Sequence, residues 1–147
     1  MVGARARTRF DGDKVRRAAK KASIESLGHA GAAIRLTARR SIKKAPKARG
    51  RDEKGRFVSA GGTIPSAPGK PPHTREGQMK RAIVYAVEKE RQDVVVGPDY
   101  AVVGPAGMAH EHGGRFRGGR YERRPFMGPT LEKVRDRLPR MWAGSVR

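Results

Sequence analysis

The apolar positions of the chain fall into three successive patterns of spacing, and each predicts its own kind of element. Between Asp13 and Ala45, residues Ile24, Leu27, Gly31, Ile34, Ala38 and Ile42 recur at three- and four-residue steps. Such spacing draws one stripe along a helix. Asp11 or Asp13 supplies its N-cap, and Arg39, Arg40, Lys43 and Lys44 suit its last turns. Pro46 ends it. Gly28 and Gly31 lower helix propensity and point to close packing or a bend near the middle. From Arg81 to Glu88 the period becomes two, with Ile83, Tyr85 and Val87 on one face and Val84 and Ala86 on the other. Val94–Val96 reads as a second strand stopped by Gly97-Pro98, and Tyr100–Val103 as a third stopped by Gly104-Pro105. Helical spacing returns with Leu131, Val134, Leu138, Met141 and Trp142. Pro129 fits the first position of that helix, and Pro139 kinks or frays it.

The segments between these patterns carry breakers. Residues 1–10 form a flexible basic arm without periodicity. Pro46–Ala60 is charged and broken by glycine, an exposed loop with a short strand or hairpin at Gly55–Ser59. It continues into Gly61–Pro72, where Pro65, Pro68, Pro71 and Pro72 fix φ and remove backbone donors, which favours an extended segment. An arm this long without regular structure is expected to reach a neighbouring chain. Gly107–Arg124 is rich in glycine and arginine and reads as a loop. The predicted class is α+β, with a long N-terminal helix and a C-terminal helix packed on a small antiparallel sheet of three to four strands, plus a long Pro/Gly-rich arm. In residue numbers, a single domain of 147 holds a helix at 13–45, the arm at 46–78, strands at 79–103, a Gly-rich loop at 104–128 and a helix at 129–143.

Charge adds a partner to this picture. There are 34 Lys and Arg against 14 Asp and Glu, a net of +20. The first 56 residues hold 18 of the basic and five of the acidic ones. Such an excess predicts attraction to nucleic acid, an acidic protein face or a membrane surface. The best candidates for contact with DNA or an acidic partner are Arg39, Arg40, Lys43, Lys44, Lys47, Arg49 and Arg51. Interleaved aromatics are scarce and no zinc-finger, RRM or KH signature is present, so any nucleic-acid contact is expected at phosphates. No apolar run approaches the ~18 residues of a membrane span, and no membrane partner is expected.

Candidate chemistry is thin. With no cysteine, thiolate chemistry and disulfides are excluded. His110-Glu111-His112 places two histidines two apart in a Gly-rich segment, whereas a zinc helix needs them four apart. No serine has a nucleophile-elbow context, and the Gly-rich runs lack the GxxxxGK[ST] phosphate cradle. Neither catalysis nor a metal or other cofactor is expected. A zinc-dependent hydrolase is the most distant alternative.

Two blocks carry a resemblance. The first is SAPGKPP-HTREGQMKRAI over Ser66–Ile83, with Pro68, Gly69, Pro71, Pro72, Gly77 and Ile83 at matching positions. The second runs from Val96-Gly97 through Tyr100-Ala101 and His110-Glu111-His112-Gly113-Gly114 to Arg124-Pro125-Phe126, followed by Pro129 and Leu131. In order and spacing these resemble the head–tail joining proteins of long-tailed bacteriophages, also described as tail-completion, minor tail or tail-component proteins. Thr74-Arg75-Glu76 replaces the family's usual Arg-Thr, and Arg115–Arg123 is a long insertion. The resemblance implies a non-enzymatic structural protein of the virion neck, assembled in the host cytoplasm. It would be one subunit of a homo-oligomeric ring of six or twelve. Neighbouring neck, portal-side adaptor and tail-tube proteins would be its partners, with non-specific contact to genomic DNA. Subunit contacts are expected at Pro65, Pro68, Gly69, Pro71, Pro72, Gly77, Met79, Glu111, Gly113, Arg124, Pro125 and Phe126. The alternatives are a tail terminator ring capping the tail tube and a non-phage basic nucleic-acid-binding protein.

Overall fold

The computed structural model describes residues 11–116 and 118–145, so the basic arm expected at 1–10 lies outside the described residues. The class is α+β. Helix α1 (Gly12–Ser41) starts where the Asp11 carboxylate accepts the Lys14 N–H at 3.0 Å. Its predicted stripe is the buried one: Leu27, Gly31, Ile34 and Ala38 face inward. The helix ends at Ser41, four residues short of the expected boundary. Ile42 turns to extended backbone and is fully buried. Lys43 and Lys44 are therefore not in the helix. They form β1 (Lys43–Lys44), which later pairs in parallel with His73 and Thr74. A tertiary pairing, and not Pro46, takes the chain out of the helix.

The segment expected as an arm with a short strand or hairpin at Gly55–Ser59 contains a longer hairpin. Strands β2 (Lys47–Arg51) and β3 (Phe57–Thr63) pair antiparallel, with a bulge between Lys47 and Arg49. Local turn chemistry makes it. The Asp52 carboxylate accepts from the backbone of Lys54 and Arg56 and from the Arg56 guanidinium, each at 2.9 Å. Gly55 supplies the positive φ that the turn needs. The hydrogen bonds from Arg56 hold the Asp52 carboxyl below its ordinary pKa.

The Pro-rich stretch is bound to its own chain. Ile64 N–H donates to Pro46 O, Gly69 N–H to Arg123 O and Ala45 N–H to Thr74 O. His73 donates through Nδ1 to the Ile64 carbonyl. Ser66 is buried and Pro72 is fully enclosed. Strand β4 (His73–Thr74) then leads through Gly77 into helix α2 (Gln78–Ala82). Gly77 sits at φ 85°, with its N–H on the Thr74 hydroxyl.

Strands β5 (Ile83–Glu88) and β6 (Asp93–Pro98) form the hairpin that the alternation predicts. Ile83, Tyr85 and Val87 face α1, and Val84 and Ala86 face out. No third strand joins them among the described residues; the sheets are four separate two-stranded pairs. Tyr100–Val103, expected as a strand, is the short helix α3 (Tyr100–Val103). Asp99 caps it by accepting from the Ala101 N–H, and Gly104 ends it. Tyr100, Ala101, Val102 and Val103 are too short a run to overrule a cap at each end. The expected Gly-rich loop is ordered as helix α4 (Ala106–His112) followed by the hairpin β7 (Gly114–Phe116) and β8 (Gly119–Tyr121). Helix α5 (Met127–Val134) is shorter than expected and gives way to two 3-10 turns at 135–137 and 139–141. It lies against α1, and Thr130 and Val134 are its buried residues, whereas Leu131 is exposed. The Ser26 hydroxyl donates to Met141 O at 2.9 Å and fastens the C-terminal turns to α1.

The core gathers four segments: Ala38 and Ile42 from the end of α1, Met79 from α2, Ile83 from β5, and Phe126 from just before α5. Farther along α1, Gly31 is a notch. A Cβ there would stand 2.5 Å from a ring carbon of Tyr85 and 2.7 Å from a methyl of Val94, whereas Gly28 has open space. Gly31→Ala is therefore expected to cost about 1–3 kcal/mol by overpacking. Gly28→Ala is expected to gain roughly 0.5–1 kcal/mol from helix propensity. Urea unfolding followed by circular dichroism measures both, and equal shifts of the same sign would contradict the notch.

Candidate functional site

The residues expected at subunit contacts divide by location. Pro72, Met79 and Phe126 are buried inside the protomer and hold its core. Pro65, Pro68 and Gly69 are exposed, and Pro71, Gly77, Glu111, Gly113, Arg124 and Pro125 are half-buried. Most of the half-buried ones have internal work. Gly113, at φ 73°, closes α4 with its N–H on Ala109 O, and a Cβ there would strike the Arg123 side chain at 2.9 Å.

Arg124 binds the arm to the α4 region. Its Nε donates to Ser66 O at 2.8 Å, and its guanidinium lies 5.7 Å from the centre of the Tyr121 ring. Tyr121 in turn meets His110 edge-on at 5.3 Å between ring centres. Burial, followed by the positive charge of Arg124, pushes the His110 pKa below its ordinary value, so the ring stays neutral. Its Nδ1 is buried without a hydrogen-bond partner. No group of three or more His, Cys, Asp or Glu side chains that could hold a metal ion converges among the described residues.

Glu111 has the clearest function within the protomer. Its carboxylate accepts from the backbone N–H groups of Phe126 and Met127 at 2.8 and 3.0 Å, and of Gly128 at 2.8 Å. The fourth group at the start of α5 would belong to Pro129, which has no N–H. Every orphan donor of the helix start is thus satisfied or absent. Pro129 stands at the third helical position and not the first, still within the turn that needs no donor. A negative charge there also meets the positive end of the helix. Burial raises the Glu111 pKa, but the three backbone donors and the nearby His112 outweigh it and hold the carboxylate below its ordinary value.

The expected cation surface is also divided. Arg40 and Lys43 line one cleft. Arg49 and Arg51 lie two apart on the outward face of β2, with Lys47 beyond the bulge. Lys44 is exposed on β1, and Arg39 is half-buried on α1. What sequence reasoning missed is that Lys133 and Arg137 join Arg40 and Lys43 in the same cleft. Their spacing of four was the available signal, since it places both on one side of a helix. An opening of about 960 Å³ between α2, α3 and β7–β8 contains Glu76 as its one lining carboxylate among the described residues.

Apolar side chains remain on the surface. Register places Val84 opposite Gly97 and Ala86 opposite Val95, so these four share the outer face of β5–β6. Val95 is 58% exposed, and Tyr100 and Met108 are about 70% exposed on α3 and α4. Among the described residues no helix is long and apolar enough to cross a membrane. The chain matches no family model, no curated protein and no solved structure.

Acid should loosen this site in two steps. A depressed His110 means that the unfolded chain takes up a proton first, so stability falls as pH drops below about 6.5 toward the lowered value. Glu111 repeats this below about 4.5, its contribution being lost as pH falls through its depressed pKa. Glu111→Ala is expected to cost about 1–2 kcal/mol at neutral pH through the lost helix cap. The gap from the parent chain should close under strong acid. Urea midpoints across pH 3–7 provide the check, and a gap independent of pH would show that the carboxylate charge is not what matters.

Proposed function

We propose that this chain is a structural protein of the neck of a long-tailed bacteriophage, one subunit of a ring that joins the DNA-filled head to the tail. The observation that carries this reading is the order and spacing of the two motif blocks, from Pro68-Gly69 to Ile83 and from Val96-Gly97 to Arg124-Pro125-Phe126. Those blocks are not scattered ornaments in the fold. The first anchors the Pro-rich stretch and opens α2 and β5; the second ends in the Phe126 that fills the core.

Three features of the protomer favour assembly over catalysis. The outer face of β5–β6 is apolar and bare, and both sheet edges lack a partner strand among the described residues. Exposed edges and bare faces are surfaces on which another chain can complete a sheet. The hairpin β2–β3 pairs only with itself among the described residues, which leaves it free to overlie a neighbour. Pro65, Pro68 and Gly69 add a stiff exposed rim beside it. Closed rings arise from such unlike surfaces when the rotation between subunits closes. A ring of six or twelve would buffer the protomer's charge against acidic neighbours or packaged DNA.

Particles assembled without the chain are expected to accumulate as filled heads and finished tails that stay apart in electron micrographs. Joined virions in its absence would overturn the reading. Native mass of the purified chain should show a closed oligomer, and Val95→Glu should shift it toward the 16.1 kDa protomer.

A further inference from the structure

The cleft between the end of α1 and α5 has a volume of about 590 Å³. Four cations surround it: Arg40 and Lys43 on one side, Lys133 and Arg137 on the other. No carboxylate lines it, and none of the four has an ion-pair partner among the described residues. Arg135, next to this group, does have a partner: it faces Glu132 at 3.6 Å. Lys133 and Arg137 stand four apart, where like charges on a helix face repel. Folding therefore gathers four positive charges around an unneutralised hollow.

We propose that this cleft binds the phosphodiester backbone of nucleic acid. The lining decides between polyanions. Between the cations the lining is Pro71, Phe126 and Pro129, and the Thr37 and Ser41 hydroxyls are already given to carbonyls of α1. Arg40, Lys133 and Arg137 stand on helix or 3-10 turn, and Lys43 belongs to the two-residue β1, too short an edge for an extended acidic peptide to pair along, so such a peptide would depend on side chains alone. Nucleic acid needs only closely spaced cations, because a duplex carries one charge per ~1.7 Å of axis. The Phe126 ring is fully buried and cannot stack on a base, so the contact is to phosphates and independent of sequence. This inference does not depend on where the subunit sits. A failed binding test leaves the neck reading standing, and joined virions would leave the cleft standing.

The test measures fluorescence anisotropy of the full-length chain with a labelled duplex of about 20 base pairs over a series of salt concentrations. Lys133→Gln with Arg137→Gln is compared with Lys20→Gln with Lys21→Gln. The second pair removes the same charge from a groove near the other end of α1, about 30 Å along its axis, that also contains Glu25. All four side chains are exposed, and circular dichroism confirms that each variant folds. The cleft pair should weaken binding roughly tenfold at about 0.15 M salt and flatten the log–log salt slope by about 2. The control pair should do markedly less. Equal losses from both pairs would overturn the proposal in favour of diffuse charge. So would unchanged DNA binding by the cleft pair, or displacement of the duplex by poly-glutamate of equal charge at equal concentration.

Discussion

Phe126 is held from two directions, and the rest of the structure depends on that grip. Its ring is fully buried against the end of α1, α2 and β5, while its backbone N–H is held by the Glu111 carboxylate. The ring fixes where the chain crosses the core. The carboxylate fixes the direction in which α5 leaves it. Together they set the wall on which Lys133 and Arg137 stand and the floor between them and Arg40. A small core can fix a long chain in this way because one residue satisfies the apolar and polar demands of the same junction.

Polar fastenings do much of the work that a larger core would do. Arg124 holds Ser66, Asp52 makes the β2–β3 turn, Ser26 holds Met141, and Asp99 starts α3. Each is a hydrogen bond between a side chain and the backbone, worth on the order of 1 kcal/mol or more where a charge takes part. The outer surfaces are left uncommitted as a result. Apolar area that a self-sufficient domain would fold inward stays on β5–β6 and on α3 and α4.

Much of the scaffold was legible in the sequence. The stripe from Leu27 to Ile42 and the alternation from Ile83 to Val87 are properties of period, and period survives without tertiary knowledge. Where α1 ends was not legible, because His73 and Thr74 claim Lys43 and Lys44 from thirty residues away. Tyr100–Val103 has strand composition but helix punctuation in Asp99 and Gly104, and the punctuation prevailed. Glu111 had no readable signal: it caps a helix that begins sixteen residues later, and only the fold brings them together. The basic cleft is the same case, with Arg40 and Lys133 more than ninety residues apart. Pro72 could be read as a stiff element, yet its burial depends on neighbours that proline spacing does not specify.

The separation between Ile42 and Phe126 also has a consequence for how the chain is made. The end of α1 meets the last of its buried partners, Phe126, only after 84 more residues have been synthesised. At ~5–20 residues per second that is a delay of roughly 4–17 s. The helix stripe stays uncovered until β5 and β6 emerge and its end stays incomplete until Phe126 does, and the +13 net charge of the first 56 residues emerges first. Nascent chains on neighbouring ribosomes of one message therefore repel one another through the interval in which their apolar stripes could otherwise meet.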